Sequence, residues 1–249
     1  MSKVNIAVIF PSRGMAFSQT CDELLENLEG YDYDIFFAHG LPLPDCYSVP
    51  LKQALRGSYS HFWFVEDDMV IPKNTLKRLL AENVPAITCD YPIDASGKSA
   101  VFADPNGNTI YGGLGCLLVT RKFIKGKSFK TDTIWDMKVG ETVEVKRRTA
   151  PNNIFGLHAT NFYLEAYEAG QPVKVSRIRC GHRKLKQLGA QASNIGQHNW
   201  ETWTELKPNI LPKLEKQALV AVKLDGQMVN VKADSPLAKN YKPKYVEFL

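Results

Sequence analysis

Three consecutive carboxylates, Glu66-Asp67-Asp68, follow directly on the apolar run Phe62-Trp63-Phe64-Val65. Like charges placed together at the mouth of a core repel one another and lose hydration. A positive group is expected among them. A divalent cation carrying phosphates meets that demand, because carboxylate oxygens are hard ligands. The competing reading is a solvated acidic turn before a helix over Asn74–Glu82, where negative charge complements the helix dipole. The acidic run alone leaves the two readings level.

The surrounding pattern is one of strands and helices in alternation. Val4–Phe10 is continuously apolar with β-branched residues, as in a strand covered on both faces, and it ends in the turn Pro11-Ser12-Arg13-Gly14. A helix is expected over Ser18–Leu28, with Leu24, Leu25 and Leu28 on one face, then a strand over Asp34–Ala38 closed by His39-Gly40. The loop Leu41–Pro50 carries three prolines and leads to a helix near Leu51–Arg56. Strand Phe62–Val65, the acids, the helix and a strand at Pro85–Thr88 follow. This order predicts an α/β fold with a doubly wound, mostly parallel central sheet and helices on both faces. Such sheets bind ligands beyond the carboxyl ends of their strands. The Pro-Ser-Arg-Gly turn, the His-Gly turn and the acids all fall there, and that convergence favours a functional site.

Further on, Asp104-Pro105-Asn106-Gly107-Asn108 predicts a hairpin between Ser99–Ala103 and Thr109–Tyr111. Gly112-Gly113-Leu114-Gly115 leaves room for a ligand or for a tight bend, and the sequence does not choose. Residues 125–156 are polar and basic, contain Asp136, and are expected as a long lid-like excursion. A helix over Asn161–Ala169 stops at Gly170, and a strand over Pro172–Ile178 runs into the basic stretch Arg179–Lys184. His182 lies in that stretch, where its plain reading is an exposed histidine. Asp225-Gly226 predicts a second hairpin. The expected organisation is a catalytic domain over 1–185 and a C-terminal extension over 186–249 containing a hairpin at 219–232.

The 249 residues and 44% hydrophobic content fit one large domain, or one with a small appendage. No apolar run approaches the roughly 20 residues of a membrane span, so no transmembrane segment is expected. The five cysteines, Cys21, Cys46, Cys89, Cys116 and Cys180, are scattered without a CxxC pair. Neither a disulfide framework nor a cysteine zinc site is expected, and a cytoplasmic setting is. Residues 1–120 hold 8 Lys and Arg against 14 Asp and Glu, net −6; residues 121–249 hold 23 against 12, net +11. An anionic partner for the second half, either a phosphate or a polyanion, is one reading; solubilising surface lysines are the other.

The ordered landmarks resemble the GT-A class of nucleotide-sugar glycosyltransferases, especially the inverting group related to family 2. They are the Pro-Ser-Arg-Gly turn, Lys52-Gln53-Ala54-Leu55, the run Tyr59 to Asp68, Gly113 to Arg121, Phe162 to Gly170, and His182. The resemblance implies that Glu66-Asp67-Asp68 stands at the family's DxD motif. Asp68 would bind Mn²⁺ or Mg²⁺ on the donor diphosphate, Glu66 would approach the ribose or the metal's water shell, and Asp67 would belong to the same nucleotide cradle. His182 would complete the metal site, and Pro11, Ser12 and Arg13 would contact base and ribose. The acidic pair that supplies the inverting group's base is replaced by His158 and Ala159. His158 acting as the base, Asp136 brought in from the excursion, a retaining reaction that needs no base there, and loss of catalysis all remain open.

By this resemblance the expected function is a metal-dependent glycosyltransferase, moving a sugar from a nucleotide diphosphate, first a UDP-sugar, to a hydroxyl acceptor. The acceptor class is open among a polyanion such as modified DNA, a glycan and a protein side chain. A nucleotidyltransferase is the second expectation, and a non-catalytic glycan- or nucleic-acid-binding protein on a transferase scaffold is the third. Charge release across the sugar–phosphate bond is what a Lewis-acidic ion would offset.

Overall fold

Alternate residues of the central strands feed two separate cores. In the first strand Ala7 and Ile9 join one cluster, while Ile6, Val8 and Phe10 join the other. Phe62 and Phe64 point to the first cluster, Trp63 and Val65 to the second, and all four are wholly buried. A period of two with both faces apolar requires cover on both sides. The computed structural model, which describes residues 4–12, 16–131, 133–139, 143–149, 157–185, 200–210, 219–224 and 227–232, supplies that cover.

The chain opens with strand β1 (Asn5–Ser12), helix α1 (Ser18–Leu28), strand β2 (Asp32–His39), helix α2 (Asp45–Ala54) and strand β3 (His61–Val65). The acids lead into a two-residue strand, β4 (Met69–Val70), then helix α3 (Thr75–Ala81) and strand β5 (Ala86–Asp90). Strands β6 (Lys98–Ala103), β7 (Asn108–Gly112) and β8 (Cys116–Thr120) precede one helical turn, α4 (Arg121–Ile124). A hairpin of β9 (Thr133–Val139) and β10 (Val143–Thr149) is followed by helix α5 (Leu157–Glu168). The remaining strands are β11 (Val173–Arg179), β12 (Gly181–Leu185), β13 (Trp200–Trp203), β14 (Lys207–Ile210), β15 (Leu219–Leu224) and β16 (Gln227–Lys232).

Nine strands form one sheet in the order β14-β6-β7-β11-β5-β8-β3-β1-β2. The pairings make β7 and β8 antiparallel to their neighbours while the other seven strands share one direction. The fold is therefore α/β with a mostly parallel central sheet. Residues of α1 and α3 pack into one core and residues of α2, α4 and α5 into the other. A smaller sheet, β13-β12-β4, stands at the carboxyl end of β3.

Three expectations need correction. Helix α2 begins at Asp45 rather than near Leu51, so the proline-rich loop is half helix. Pro44 sits at its N-cap, and Pro50 inside it forgoes one backbone hydrogen bond. Cys46, Tyr47, Pro50, Leu51 and Ala54 form a buried stripe that outweighs this loss. The excursion after residue 125 contains the regular β9–β10 hairpin, paired from Thr133↔Thr149 to Val139↔Val143. Beyond residue 185 the chain returns to the body, with β13 pairing to β12 and β14 to β6. The Asp-Gly hairpin is present as β15–β16.

Candidate metal centre

The acid turn is held by its own backbone carbonyls. Glu66 O accepts from Met69 N at 3.4 Å, Asp67 O from Phe17 N at 3.2 Å and Asp68 O from Arg183 N at 2.6 Å. Glu66 N still donates to Gly115 O of the segment entering β8, at 3.1 Å. The third of those bonds belongs to the clasp between β4 and β12, where Gly181 lies opposite Val70 and His182 opposite Met69. Gly181 is required there: a Cβ would come within 2.8 Å of Trp203 O and 2.9 Å of the Val70 Cβ. The clasp carries a residue from far along the chain to the acids.

Strand parity then sorts the side chains of β12. His182 and Lys184 face Asp68: His182 Nε2 lies 3.1 Å and Lys184 Nζ 3.0 Å from Asp68 Oδ2. Arg183 faces the other way, donating to Glu23 Oε1 at 2.5 Å and Thr20 Oγ1 at 2.9 Å, and to Met69 O. Glu23 also accepts from Ile71 N at 2.7 Å, so this ion pair ties α1 to both strands of the clasp. His182 places Nδ1 3.1 Å from Pro92 O, and its ring meets the edges of Tyr91 and Trp203. With Nδ1–H given to that carbonyl, the Nε2 lone pair of the neutral ring is left for a cation shared with Asp68, and only the doubly protonated ring donates from Nε2 to Asp68 itself.

The two ends of the triplet differ electrically. Burial pushes the Asp68 carboxyl up, but hydrogen bonds and charge from His182 and Lys184 outweigh it and hold Asp68 down at about 2. Burial, followed by the Asp68 charge, pushes Glu66 above the usual carboxylate range, and a hydrogen bond from Tyr47 only partly offsets this. Tyr47 Oη donates to Glu66 Oε1 at 2.5 Å. Asp68 is thus the more acidic of the two and Glu66 the more readily protonated. Asp67 is buried, and its charge helps to raise the Cys21 thiol on α1, after burial and Asp22.

The other expected residues are placed as follows. Pro11 and Ser12 are the last two residues of β1, buried, with Ser12 O accepting from Gly40 N at 3.0 Å. Arg13 lies outside the described residues. His158, the second residue of α5, is 6% exposed and stacked on Tyr47 at 5.2 Å. Its Nδ1 has no hydrogen-bond partner among the described residues, and burial pulls it down to about 4. An imidazole lowered this far is a weaker base than an ordinary histidine. Asp136 stands on β9 opposite Lys146, in the hairpin outside the large sheet.

The sequence reading missed Lys184, Tyr47, Tyr91 and the Arg183–Glu23 pair. For Lys184 a signal existed: read as a strand rather than a basic run, His182-Arg183-Lys184 puts the first and third residues on one face. The glycine run resolves differently. A Cβ on Gly113 would lie 2.0 Å from the Tyr91 hydroxyl oxygen, and one on Gly115 2.6 Å from Met69 Sδ, so the space is filled by the protein's own side chains.

No protein-family model and no curated protein matches the chain. Solved structures with similar coordinates include a protein from STIV (13% identity, 72% of this chain and 85% of that one, TM-score 0.45). CMP:2-keto-3-deoxy-manno-octonic acid synthetase complexed with CTP follows (10% identity, 72% and 90%, TM-score 0.39). A third is 4-diphosphocytidyl-2C-methyl-D-erythritol synthase from Anaerococcus prevotii (12% identity, 49% and 73%, TM-score 0.29).

Proposed function

We propose that this protein is a divalent-metal-dependent transferase acting on the phosphates of a nucleotide donor, and that it moves a sugar from that donor to a hydroxyl acceptor. One observation carries the reading: a buried carboxylate, Asp68, has an imidazole and an ammonium on one oxygen at the carboxyl end of the sheet. The donor set fits Mn²⁺ or Mg²⁺. Such ions take one or two protein ligands and leave their other positions to phosphate and water, and the imidazole favours Mn²⁺. Bound there, the ion would supply Lewis-acid stabilisation of a departing diphosphate.

The chain's own groups have separable tasks. Asp68 and His182 would hold the ion, with Pro92 O fixing the imidazole tautomer. Lys184, whose side chain is 35% exposed, would be released from Asp68 when the ion arrives and so become free to meet phosphate oxygens. Glu66, hydrogen-bonded to Tyr47, would face the ribose or the ion's water shell. Pro11 and Ser12 would border the nucleoside. The base for the acceptor hydroxyl stays open between His158 and Asp136.

The second reading is nucleotidyl transfer, which the same metal–carboxylate arrangement could serve. Two of the structural neighbours carry cytidine groups in their names, and one is complexed with CTP. Product analysis separates the readings: sugar transfer from a nucleotide sugar releases a nucleoside diphosphate, whereas nucleotidyl transfer from a triphosphate releases pyrophosphate. Thermal-shift screening of UDP, other nucleoside diphosphates and their sugars with and without Mn²⁺ comes first. A Mn²⁺-dependent rise that disappears in Asp68→Asn is expected; a rise of equal size in the variant removes the basis of both readings.

A further inference from the structure

Three cysteines that sequence places 27 and 64 residues apart meet in the core beneath the acid corner. Cys89 ends β5 but for one residue, Cys116 opens β8, and Cys180 joins β11 to β12. Their sulfurs all lie within 4.8 Å of one another, and the residues are at most 2% exposed. No disulfide links any of the five cysteines. We propose that Cys89, Cys116 and Cys180 form a site for one thiophilic d¹⁰ ion, Zn²⁺ or Cu⁺, separate from the Asp68–His182 centre.

The geometry is close to what such an ion needs. Three sulfurs at a metal–sulfur distance of about 2.3 Å stand about 4.0 Å apart in a trigonal plane, so closure from 4.8 Å asks each to move inward by about 0.5 Å. Thiolate ligands select soft ions and reject Mg²⁺ and Mn²⁺. A second observation points to the same spot. The wholly buried Trp63 shares one core cluster with all three cysteines, and its indole N–H has no hydrogen-bond partner among the described residues. Donors aimed at sulfur offset the negative charge that a tris-thiolate keeps after binding its ion. Strand pairing supplies the preorganisation: Thr88↔Leu117 sets Cys89 across from Cys116, and Cys180 N donates to Asp90 O at 2.9 Å.

Each ligand also adjoins a part of the acid corner: Cys89 precedes Asp90-Tyr91, Cys116 follows Gly115, and Cys180 precedes Gly181-His182. An ion here would pin those three segments together from below.

Because the site is sealed, the ion is supplied during expression. Cells are grown with Zn²⁺, Cu²⁺ (reduced to Cu⁺ in the cell) or Cd²⁺ as a spectroscopic stand-in, and the protein is purified under reducing conditions and washed with chelator. Elemental analysis is expected to find one equivalent retained, with a thiolate-to-cadmium charge-transfer band in the Cd²⁺ preparation. The thermal midpoint is expected about 5–10 °C above that of metal-starved protein. Asp68→Asn and Cys46→Ser are expected to keep the ion, and Cys116→Ser and Cys180→Ser, made separately, to lose it. Retention of Zn²⁺ or of copper tells which ion the site takes. Wild-type protein that keeps none of the three ions overturns the proposal, whatever the variants do. So does a band that survives Cys116→Ser.

Discussion

Asp68 is the residue on which neighbouring charges matter most, since two of its partners compete with any incoming ion. A partly exposed ammonium on a carboxylate is worth about 1 kcal/mol. A metal that displaces Lys184 from Asp68 gives up that amount. Lys184→Met is therefore expected to tighten Mn²⁺ binding about fivefold in the absence of nucleotide, measured by Mn²⁺ titration. The same change should weaken binding of nucleoside diphosphate in the presence of Mn²⁺, because the released ammonium is then missing from the phosphates. Unchanged values for both would remove Lys184 from the site. His158 offers a test of another kind. Burial lowers it from 6.5 to about 4, so the unfolded chain takes up a proton that the folded chain refuses. Its contribution to stability is complete above pH 6.5 and is lost as pH falls toward 4, about 3 kcal/mol in all. Asp68, held at about 2, acts only in a lower window, where its contribution is lost as pH falls below its unfolded value. Urea unfolding at pH 7 and pH 4 should show a fall for wild type that is smaller by that amount in His158→Gln. At this scale the acids stood out because three carboxylates are rare next to a buried run, whereas His182 was singled out by the family resemblance alone. Lys184 and Tyr47 were not, because a lysine in a basic stretch and a tyrosine in a proline-rich loop look ordinary until strand parity and a helix stripe are assigned.

Among elements, the β4–β12 clasp decides whether the site exists. Its strand β4 has two residues, too few for any period to show in sequence, and was unread for that reason. What holds it is the Arg183–Glu23 pair with its bonds to Thr20 and Met69 O, all contributed by segments about 114 to 163 residues away in sequence. Removing one member of a largely buried pair strands the other and costs about 3–5 kcal/mol. Arg183→Leu is accordingly expected to lower the thermal midpoint by about 6–20 °C, at about 2–4 °C per kcal/mol for a chain of this size. It should also abolish Mn²⁺-dependent nucleotide binding although the Arg183 side chain faces away from the Asp68 carboxylate. The double change Glu23→Leu with Arg183→Leu should recover part of the midpoint, since no lone buried charge remains, and calorimetry of the three proteins reads both effects. The longer elements were legible to within a few residues: α1 over Ser18–Leu28 and β8 over Cys116–Thr120 agree with their apolar patterns. Helix α2 was hidden because prolines signal a loop locally, while the buried stripe that overrides them depends on what the helix packs against.

On the scale of the whole molecule, the two-sided sheet was readable from continuous apolar strands, but the way the chain closes on itself was not. The pattern up to residue 185 suggested a complete domain with an appendage after it. In the structure β13 pairs with β12 from His182↔Trp203 to Leu185↔Trp200, and β14 extends the large sheet beside β6. Trp203 packs its ring edge against His182, with centroids 5.9 Å apart. Cutting the chain after residue 185 would therefore bare an edge of each sheet and take the wall from the imidazole, whereas cutting after residue 210 would remove, among the described residues, only the β15–β16 hairpin, which pairs with no other described strand. An unpaired edge strand invites association with other chains. A protein ending at residue 210 is expected to stay monodisperse, with a thermal midpoint within a few degrees of the full chain and the Mn²⁺ response intact. One ending at residue 185 is expected to aggregate or to lose that response. Size-exclusion chromatography and thermal shift on the two truncations check this, and an intact response in the shorter chain would place the boundary of the functional unit at residue 185 after all.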